Sequence, residues 1–523
     1  MDRLAELDRF NPDPALRDWL ASTFEEMEGL EHQAKKDAAA IHARDLKIQA
    51  LVLELAHLRR LRYGVKNEAL SAVQRDLFEE TVASDVAAVA AEIERKTPAV
   101  SRPPRSRAGR QPLPPHLPRI DYRHEPESCT CGQCGADLVK IGEDITEQLY
   151  VEPAKFFVHR HIRPQYACRA CETISAAPVP PAVIDGGMAA PGLLVWVLIG
   201  KFLDHLPLYR LVQIAARSGV PLALSTLAEW VGRLGVALQP LADRLAWHLL
   251  QNEVLHADET PVAQLDPGSG KTHRAYLWAY RSNPLGQGPP IVVFDYQTSR
   301  SGKHAQAFLD GWQGYLMVDD YGGYKALFTL KRIELGCWAH VRRKFVDLNA
   351  AVASPIALEA LRRIGELYEI EQRGKALDAE ARLDLRQREA KPKLTELGQW
   401  LQTTRQTVAD GSGTARALDY ALKRWPSLIR YAERGDLPID NNPVENAIRP
   451  IALGRKNWLF AGSERAGQRA AAIQSLLGTA KLNGLDPAEW LKDTLEKLPT
   501  WPNSRIDELL PFAPAQVDDR NVE

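Results

Sequence analysis

Three segments that lie far apart in the chain each carry an acidic residue at one end. VLHADETPV (254–262) is typical of a short buried strand with Asp258 at its polar end. YLMVDD (315–320) is a second apolar run that ends in acid, and DNNPVEN (440–446) places Glu445 at the start of a helix. Three carboxylates from distant segments are typical of a site that holds divalent metal for phosphoryl transfer on nucleic acid.

The second of these segments offers two adjacent acids, Asp319 and Asp320. Successive side chains of a strand point to opposite faces, so only one of the two can meet Asp258. Both faces of the strand are apolar upstream, and the pattern alone does not choose between them.

Glu445 has a second interpretation as part of a helix start. Asn442 is a suitable N-cap, Pro443 would take the first helical position and Glu445 the third, where a capping box has Glu or Gln. If Glu445 is only a cap, the third acid must be sought at Asp440 and then at Glu464.

The runs around these acids predict a sheet that brings the first two together. AYLWAYR (275–281) and PIVVFDY (290–296) continue a meander, a helix is expected over 304–311, and RIELGCW (332–338) supplies a fifth strand. Three hairpin-linked strands, a helix and two further strands are the order of a ribonuclease-H-like sheet. In that sheet the first and fourth strands are neighbours, so their acids face one another.

Four of the six cysteines suggest a structural zinc site. They form two Cys-x2-Cys pairs separated by 33 residues, the spacing of a ribbon-type tetrahedral site: Cys131, Cys134, Cys168 and Cys171. The sequence between the pairs alternates and predicts a hairpin that returns the second pair to the first. Cys129 is an alternative ligand, and His159 or His161 a weaker one. Unpaired buried cysteine is the other interpretation.

Residues 14 to about 95 are rich in Ala, Leu, Glu and Arg and predict helix. Five apolar residues fall on a and d positions of a heptad repeat: Ile41, Ile48, Leu51, Leu55 and Leu58. Both an oligomerising coiled coil and an amphipathic helix that folds onto its own domain fit this pattern.

The segment from Lys96 to Arg123 is rich in proline and arginine and nearly free of acid, which predicts an extended linker. Four of its arginines are placed to lie along DNA phosphates, although a solvated linker is the simpler alternative: Arg102, Arg105, Arg107 and Arg110.

A helical region follows from Gly192 to Leu250. It contains a turn at 218–220 and Ser225 as an N-cap for a second helix, an arrangement that resembles a helix-turn-helix. A helix pair that packs without reading DNA is the alternative.

Length and charge fit a multidomain protein that is not uniformly basic. The chain has 523 residues and a formal net charge of −1. Its longest apolar run, 192–200, is far shorter than the ~20 residues that span a bilayer. We therefore expect a cytoplasmic protein with no membrane partner.

Several longer motifs show a resemblance that covers nearly the whole chain. HADETPV, VDDYGGY, CWAHVRRKF and DNNPVENAIRPIALGRKNWLFAGSERAG are similar to hallmark segments of the insertion-sequence sixty-six (IS66) family of bacterial transposases. The resemblance implies a DNA transposase that binds the ends of an insertion sequence and catalyses metal-dependent strand cleavage and strand transfer. Its Asp-Asp-Glu core would be interrupted by a helical insertion.

The resemblance also assigns residues. It implies Asp258, Asp319 and Glu445 as the catalytic ligands of Mg²⁺ or Mn²⁺, although Asp320 stands where the family has glycine. Cys337 and His340 match a Cys-x2-His motif in which the histidine lies near the scissile phosphate. Nearby basic residues are expected on DNA phosphates, with a solvated helix face as the alternative for each: Arg342, Arg343, Lys344, Arg449, Arg455 and Lys456.

The expected fold class is multidomain α+β. The chain divides into a helical N-terminal region (1–95), a linker (96–123), a zinc ribbon (124–182), a helix-turn-helix-like segment (183–250), a ribonuclease-H-like core (251–350 and 436–475) with a helical insertion (351–435), and a C-terminal region (476–523).

The expected partners are double-stranded DNA, at element ends and target, and further copies of the chain in a homo-oligomer. A need for small accessory proteins from the same element stays open. Two other functions also remain: a metal-dependent nuclease without strand transfer, and a zinc-containing DNA-binding regulator with an inactive core.

Overall fold

The computed structural model of the protein describes residues 84–92, 113–125, 136–152, 155–266 and 271–512, with single positions between 13 and 48. Of the predicted heptad residues, Ile41 and Ile48 are helical and exposed, whereas the three leucines lie outside the described residues. The four linker arginines also lie outside them. Among the described helices, none is long and apolar enough to cross a bilayer.

The first sheet is built on a long hairpin. Its strands are β1 (Arg119–Arg123), β2 (Leu138–Glu152), β3 (Lys155–Cys168) and β4 (Ile174–Ala176). Strands β2 and β3 are antiparallel, and their register pairs Leu138 with Cys168. The predicted hairpin is therefore present, and the chain that follows the first cysteine pair lies beside the second.

Three helices connect the two sheets: α1 (Pro191–Phe202), α2 (Leu208–Arg217) and α3 (Leu224–Leu249). The predicted turn after α2 is present, with Gly219 at a φ of +75° that favours glycine. The N-cap prediction for Ser225 is wrong, because the extended residue before α3 is Ala223 and no side chain caps this helix. Helix α3 buries Leu227, Trp230 and Leu234 in the main core, which favours a packing role.

The second sheet has five strands in the order β7-β6-β5-β8-β9. They are β5 (Val254–Asp266), β6 (Lys271–Ser282), β7 (Val292–Gln297), β8 (Gly314–Val318) and β9 (Arg332–Gly336). The pairs β5–β6 and β6–β7 are antiparallel, whereas β8 is parallel to both β5 and β9. The predicted neighbours, first and fourth strands, lie side by side.

Helices cover both faces and continue the chain beyond the sheet. They are α4 (Gly302–Phe308), α5 (Trp338–Val352), α6 (Pro355–Gly374), α7 (Ala379–Leu385), α8 (Lys391–Gln406), α9 (Gly413–Lys423), α10 (Trp425–Ile429), α11 (Asn442–Trp458), α12 (Glu464–Leu482) and α13 (Pro487–Lys497). Helices α5, α6, α8, α9 and α10 share a core around Trp338 and Phe345, whereas Leu385 of α7 packs in a separate small cluster.

The outer edge of β7 is covered by side chains of α12. The Thr479 hydroxyl accepts from the N–H of Val292 (3.1 Å) and donates to its carbonyl (3.1 Å). The Ser475 hydroxyl accepts from the N–H of Phe294 (2.7 Å). Four residues of helix rise about 6 Å and two residues of strand about 6.6 Å, so the two spacings match.

Helix 84–92 packs against α3 and α12. Asp85 and Arg469 form an almost completely buried ion pair, 2.6 Å between oxygen and nitrogen. A Cβ added at Gly232 of α3 would lie 2.2 Å from the carbonyl oxygen of Ser84. The close approach of these two helices therefore depends on glycine at 232.

Candidate active site

The pairing of β5 with β8 places Asp258 opposite Asp319. The register pairs His256 with Met317, and two further residues along each strand reach these acids. The pKa of Asp258 lies well above its ordinary value because the carboxyl is buried and because Glu259, Asp319 and Glu445 add negative charge around it. Carboxylates from three separate segments thus share one electrostatic environment.

Different partners separate Asp319 from Asp320. Asp319 accepts the backbone N–H of Tyr321 at 2.8 Å. Asp320 forms an ion pair with Arg424, whose side chain is only 2% exposed, and lies 3.8 Å from Lys325. Because Asp320 is held by the helices that follow β9, this geometry favours Asp319 as the partner of Asp258.

The capping-box interpretation of Glu445 is wrong. Helix α11 begins one residue earlier than predicted, with Asn441 as its N-cap; the Asn441 side chain does not cap it, and the N–H of Asn442 donates to Asp440 (3.1 Å). Asn442 instead donates its side chain to Asp440 (2.7 Å). The Glu445 carboxylate lies 3.2 Å from Arg343 and 3.7 Å from the Nδ1 atom of His340.

Asn441 joins the helix of Glu445 to the strand of Asp258. Its side chain is completely buried, donates to the carbonyl of Ala257 (2.9 Å) and bonds the ring of His256 (3.0 Å). Its N–H donates to the thiol of Cys337 (3.2 Å). Sequence reasoning missed this role; the available signal was a pair of asparagines before a helix that needs only one cap.

Cys337 and His340 lie beside Glu445. Their ligand atoms and one carboxylate oxygen of Glu445 are all within 4.8 Å of one another. Burial raises the pKa of Cys337 to about 12, so the thiol stays protonated. Burial lowers the pKa of His340, although the charges of Glu445 and Asp319 oppose this shift.

The donor set fits a divalent cation. One oxygen of Glu445 and the Nδ1 atom of His340 are buried without a hydrogen-bond partner among the described residues. Burial raises the pKa of Asp258, and the negative charges of Asp319 and Glu445 raise it further, so the three carboxyls lie close enough to interact. A cation with oxygen ligands would offset these negative charges and coordinate the free oxygen.

The predicted DNA-contacting residues have different surroundings. Arg342, Arg343 and Lys344 are exposed along α5, and Arg449 and Lys456 are exposed on α11. Arg455 is half-buried and donates to the carbonyl of Pro261 (2.5 Å), so it also holds α11 against β5.

At the far end of the hairpin, Cys168 is buried and Cys171 is partly exposed. Cys129, Cys131 and Cys134 lie outside the described residues. The weaker alternative ligands are wrong: His161, the nearer of the two histidines on β3, is seven residues or about 23 Å along β3 from Cys168. It bonds His124 (2.9 Å), and His159 stacks on Tyr150.

Comparison with known families identifies the family of the protein. Residues 186–469 match the model described as Transposase IS66 family, and 475–512 match the IS66 C-terminal element. Residues 128–172 match the zinc-finger binding domain of transposase IS66, and 50–121 match Transposase C of IS166 homeodomain. The fold and these matches define the class of the protein as a transposase. Within that class, the chain belongs to the IS66 family.

Similar proteins are found in Sinorhizobium fredii. Uncharacterized protein y4jD is 37% identical over 480 residues, which cover 88% of this chain and 93% of the relative. Uncharacterized protein y4qI is 37% identical over 484 residues, which cover 89% of both chains.

Membership of this family implies three binding partners: divalent metal, DNA and zinc. The transposase domain implies the use of divalent metal and DNA as a partner. The zinc-finger match spans all four cysteines of the two Cys-x2-Cys pairs, which implies zinc binding.

Proposed function

We propose that the protein binds the two ends of its mobile element and cuts and joins DNA at a site formed by Asp258, Asp319 and Glu445. The observation that carries this proposal is the pairing of β5 with β8, which sets the first two acids side by side while α11 brings the third. The strand order β7-β6-β5-β8-β9 supports a ribonuclease-H-like core.

Asp258, Asp319 and Glu445 would hold Mg²⁺ or Mn²⁺, and the bound metal would supply activation of the attacking water or 3′-hydroxyl and stabilisation of the leaving oxygen. Arg343 orients Glu445 through its ion pair, and His340 faces the same carboxylate. Cys337 is buried and protonated, so it is no nucleophile and the reaction needs no covalent enzyme intermediate. Cleavage frees a 3′-hydroxyl, which the same acids align against the target phosphodiester.

Other parts of the chain would hold the DNA. Exposed cations on α5 and α11 lie on the helices that carry His340 and Glu445, which supports phosphate contacts there: Arg342, Arg343, Lys344, Arg449 and Lys456. Arg455 would add a contact from its half-buried position. The linker arginines 102, 105, 107 and 110 would extend this surface.

Zinc bound by the four cysteines would fix the end of the hairpin. Two element ends must be held together, so we propose a homo-oligomer joined through the N-terminal helical region. We propose the domain limits expected from the sequence, with residues 351–435 inserted between the two parts of the core. The exception is Arg119–Arg123, which was expected in the extended linker but forms β1 and pairs with β3.

The test is Glu445→Gln in a cleavage and strand-transfer assay with Mg²⁺. Glutamine keeps the size of the side chain but loses the charge that binds metal. We expect normal folding and binding of element ends, with cleavage reduced by orders of magnitude. Glu464→Gln, in the first turn of the next helix, is the matched control and should cleave normally. Equal activity of both variants would remove Glu445 from the site, and cleavage without joined product in wild type would indicate a nuclease.

A further inference from the structure

Arg300 lies in the loop between β7 and α4, and a buried carboxylate holds its guanidinium. Its Nε and Nη2 atoms donate to one oxygen of Glu259 at 2.8 and 2.5 Å. The Glu259 side chain is 1% exposed, whereas that of Arg300 is 44% exposed. The other Glu259 oxygen accepts from the hydroxyl of Tyr324 (2.7 Å). Tyr324 thus holds the Glu259 carboxylate in place, and this carboxylate in turn holds the Arg300 guanidinium.

Tyr321 holds the same guanidinium from its flat side. The Tyr321 ring centroid lies 3.8 Å from the Cζ atom of Arg300, and the Tyr321 hydroxyl donates to the Arg300 carbonyl. The N–H of Tyr321 in turn donates to Asp319. An arginine held by two hydrogen bonds to one carboxylate oxygen and by a ring loses little rotational freedom on binding a ligand.

This arrangement joins Arg300 to the segments of the first two acids. Glu259 follows Asp258, and Tyr321 is two residues after Asp319. Successive residues of β5 point to opposite faces, so Glu259 and the Arg300 side chain that it holds do not face Asp258 directly. The charge of Asp319 still acts on Arg300. Burial opposes ionisation of Arg300, but the hydrogen bonds that it donates to Glu259 and the charges of Glu259 and Asp319 raise its pKa.

One side of the guanidinium has no partner. Within the described part of the chain, the Nη1 atom of Arg300 makes no hydrogen bond. Guanidinium groups fixed in this way are suited to phosphate oxygens, which accept strong charge-assisted hydrogen bonds. The exposed side therefore offers a cation beside a cluster of acids that would otherwise repel DNA.

We propose that Arg300 binds a non-bridging oxygen of a DNA phosphate that flanks the phosphate being cut, with Glu259 and Tyr321 as positioning residues. This inference rests on the proposed function, because the ligand is the strand that enters the acid site. Arg300 thereby sets the register of that strand against Asp258 and Asp319.

The test is a phosphate-by-phosphate scan of DNA binding. Asp319→Asn protein, which we expect to be inactive, is titrated with element-end DNA that carries a neutral methylphosphonate at one position at a time. One flanking position should weaken binding about tenfold to a hundredfold, as expected for a lost hydrogen bond to a charged group. Arg300→Ala in the same background should lose a similar factor on unmodified DNA and show no further loss at that position.

Two variants keep the test independent of folding. Arg300→Lys keeps the charge without the fork and should show an intermediate loss at the same position. Tyr321→Leu removes the ring but keeps Arg300, and it should reduce the loss of affinity that the methylphosphonate causes at the flanking position. If each methylphosphonate position weakens DNA binding to the same extent whether residue 300 is Arg or Ala, the inference is overturned.

Arg505 is the matched control, because Glu508 pairs with it at 2.6 and 2.7 Å and Trp501 stacks on it at 4.9 Å. Arg505→Ala should leave the whole scan unchanged. The scan measures binding without cleavage, so failure of the proposed chemistry would appear separately, as absence of cut product from active wild type.

Discussion

At the scale of single residues, two neighbouring acids of the same type differ through their partners. Asp319 lies opposite Asp258, whereas Asp320 pairs with the buried guanidinium of Arg424. The same guanidinium donates to the carbonyl of Asp319 at 2.9 Å. One acid is therefore free to bind metal, and the other fixes the turn that presents it.

Substitution separates these two roles. Asp319→Asn should abolish metal-dependent cleavage without loss of stability. Asp320→Asn should keep cleavage and lower the free energy of unfolding by about 1 kcal/mol, since Arg424 loses one charged partner at a site that is one-third exposed. Cleavage assays and urea unfolding measure the two effects. If Asp320→Asn is inactive and Asp319→Asn is active, Asp320 and not Asp319 is the metal ligand.

Asp258 should make metal binding depend on pH. Its pKa in the folded protein is raised by burial and by the charges of Glu259, Asp319 and Glu445, so the folded state keeps a proton that the unfolded state has lost. In metal-free protein this contribution to stability is present at low pH and is lost as pH rises toward the raised pKa. Metal requires the ionised carboxyl, so affinity should rise with pH.

Calorimetry can detect the displaced proton. Mn²⁺ titrations in two buffers with different ionisation enthalpies, repeated over a pH series, should give different apparent heats in wild type at pH values above the ordinary pKa of an Asp carboxyl. The difference should become smaller in Asp258→Asn. Identical heats in both buffers for wild type would contradict the raised pKa.

Sequence patterns located the acids but not the residues that hold them. The apolar runs before Asp258 and Asp319 are local signals, and strand alternation left one binary choice open. Asn441 and Arg300 act through partners far away in the chain, Ala257 and Glu259. Such contacts leave no periodic signal in the sequence, because they depend on packing of the whole core.

At the scale of elements, the helices after β9 act on the site through Arg424, which lies between α9 and α10. Its side chain bonds Asp320, Glu334 and the carbonyl of Asp319. A lysine supplies one charge but not the fork that reaches all three groups. The insertion is thereby coupled to the end of β8.

Arg424→Lys should fold, bind Mn²⁺ more weakly and cleave about tenfold more slowly, because misplaced ligands cost activity steeply. Arg386→Lys is the control, since Arg386 is also a buried arginine of the helical insertion and pairs there with Glu371. It should lose stability and keep the metal affinity of the folded protein. Equal metal affinity in Arg424→Lys and wild type would refute the coupling.

The hairpin end allows a separate test of zinc. We expect one zinc ion per chain by metal analysis. Cys171→Ser should lose zinc and weaken binding of element ends, because metal binding is coupled to local folding. Cys337→Ser changes a buried thiol outside the hairpin and should retain zinc. Unchanged zinc content in Cys171→Ser would exclude this cysteine as a ligand.

Element types followed from periodicity, whereas element ends did not. The strand predicted at 254–262 continues to Asp266, and the helix predicted to start after Asn442 starts at Asn442. The Asn442 side chain was available to cap a helix but bonds Asp440 instead, a carboxylate that also accepts from the distant Tyr368 (2.9 Å). Local preference is outweighed where a buried acid needs donors.

At the scale of the whole molecule, helix 84–92 ties the N-terminal region to the core. Asp85 and Arg469 are 384 positions apart and form a buried ion pair. Removing one partner of such a pair typically costs about 3–5 kcal/mol, because the other charge stays buried without compensation. The packing of this helix therefore tolerates the loss of neither charge alone.

Glycine substitutions test this packing without changing charge. Gly232→Ala should displace helix 84–92, because the new Cβ meets the Ser84 carbonyl, and should make this helix accessible to limited proteolysis. Gly365→Ala is the control, since no atom lies within 4 Å of its added Cβ. It should stabilise the protein by about 0.5–1 kcal/mol through helix propensity. Equal protease resistance of both variants would show that this contact is dispensable.

The hydroxyls that α12 places along β7 also decide how copies of the chain can meet. An open strand edge invites a strand from another molecule, either as a specific partner or as the start of an aggregate. Here the hydroxyls of Thr479 and Ser475 already accept hydrogen bonds from the N–H groups of Val292 and Phe294. The Asn483 side chain donates to the carbonyl of Pro290. The sheet is therefore closed to a sixth strand on this side, and copies assembled on DNA must meet through surfaces other than this edge.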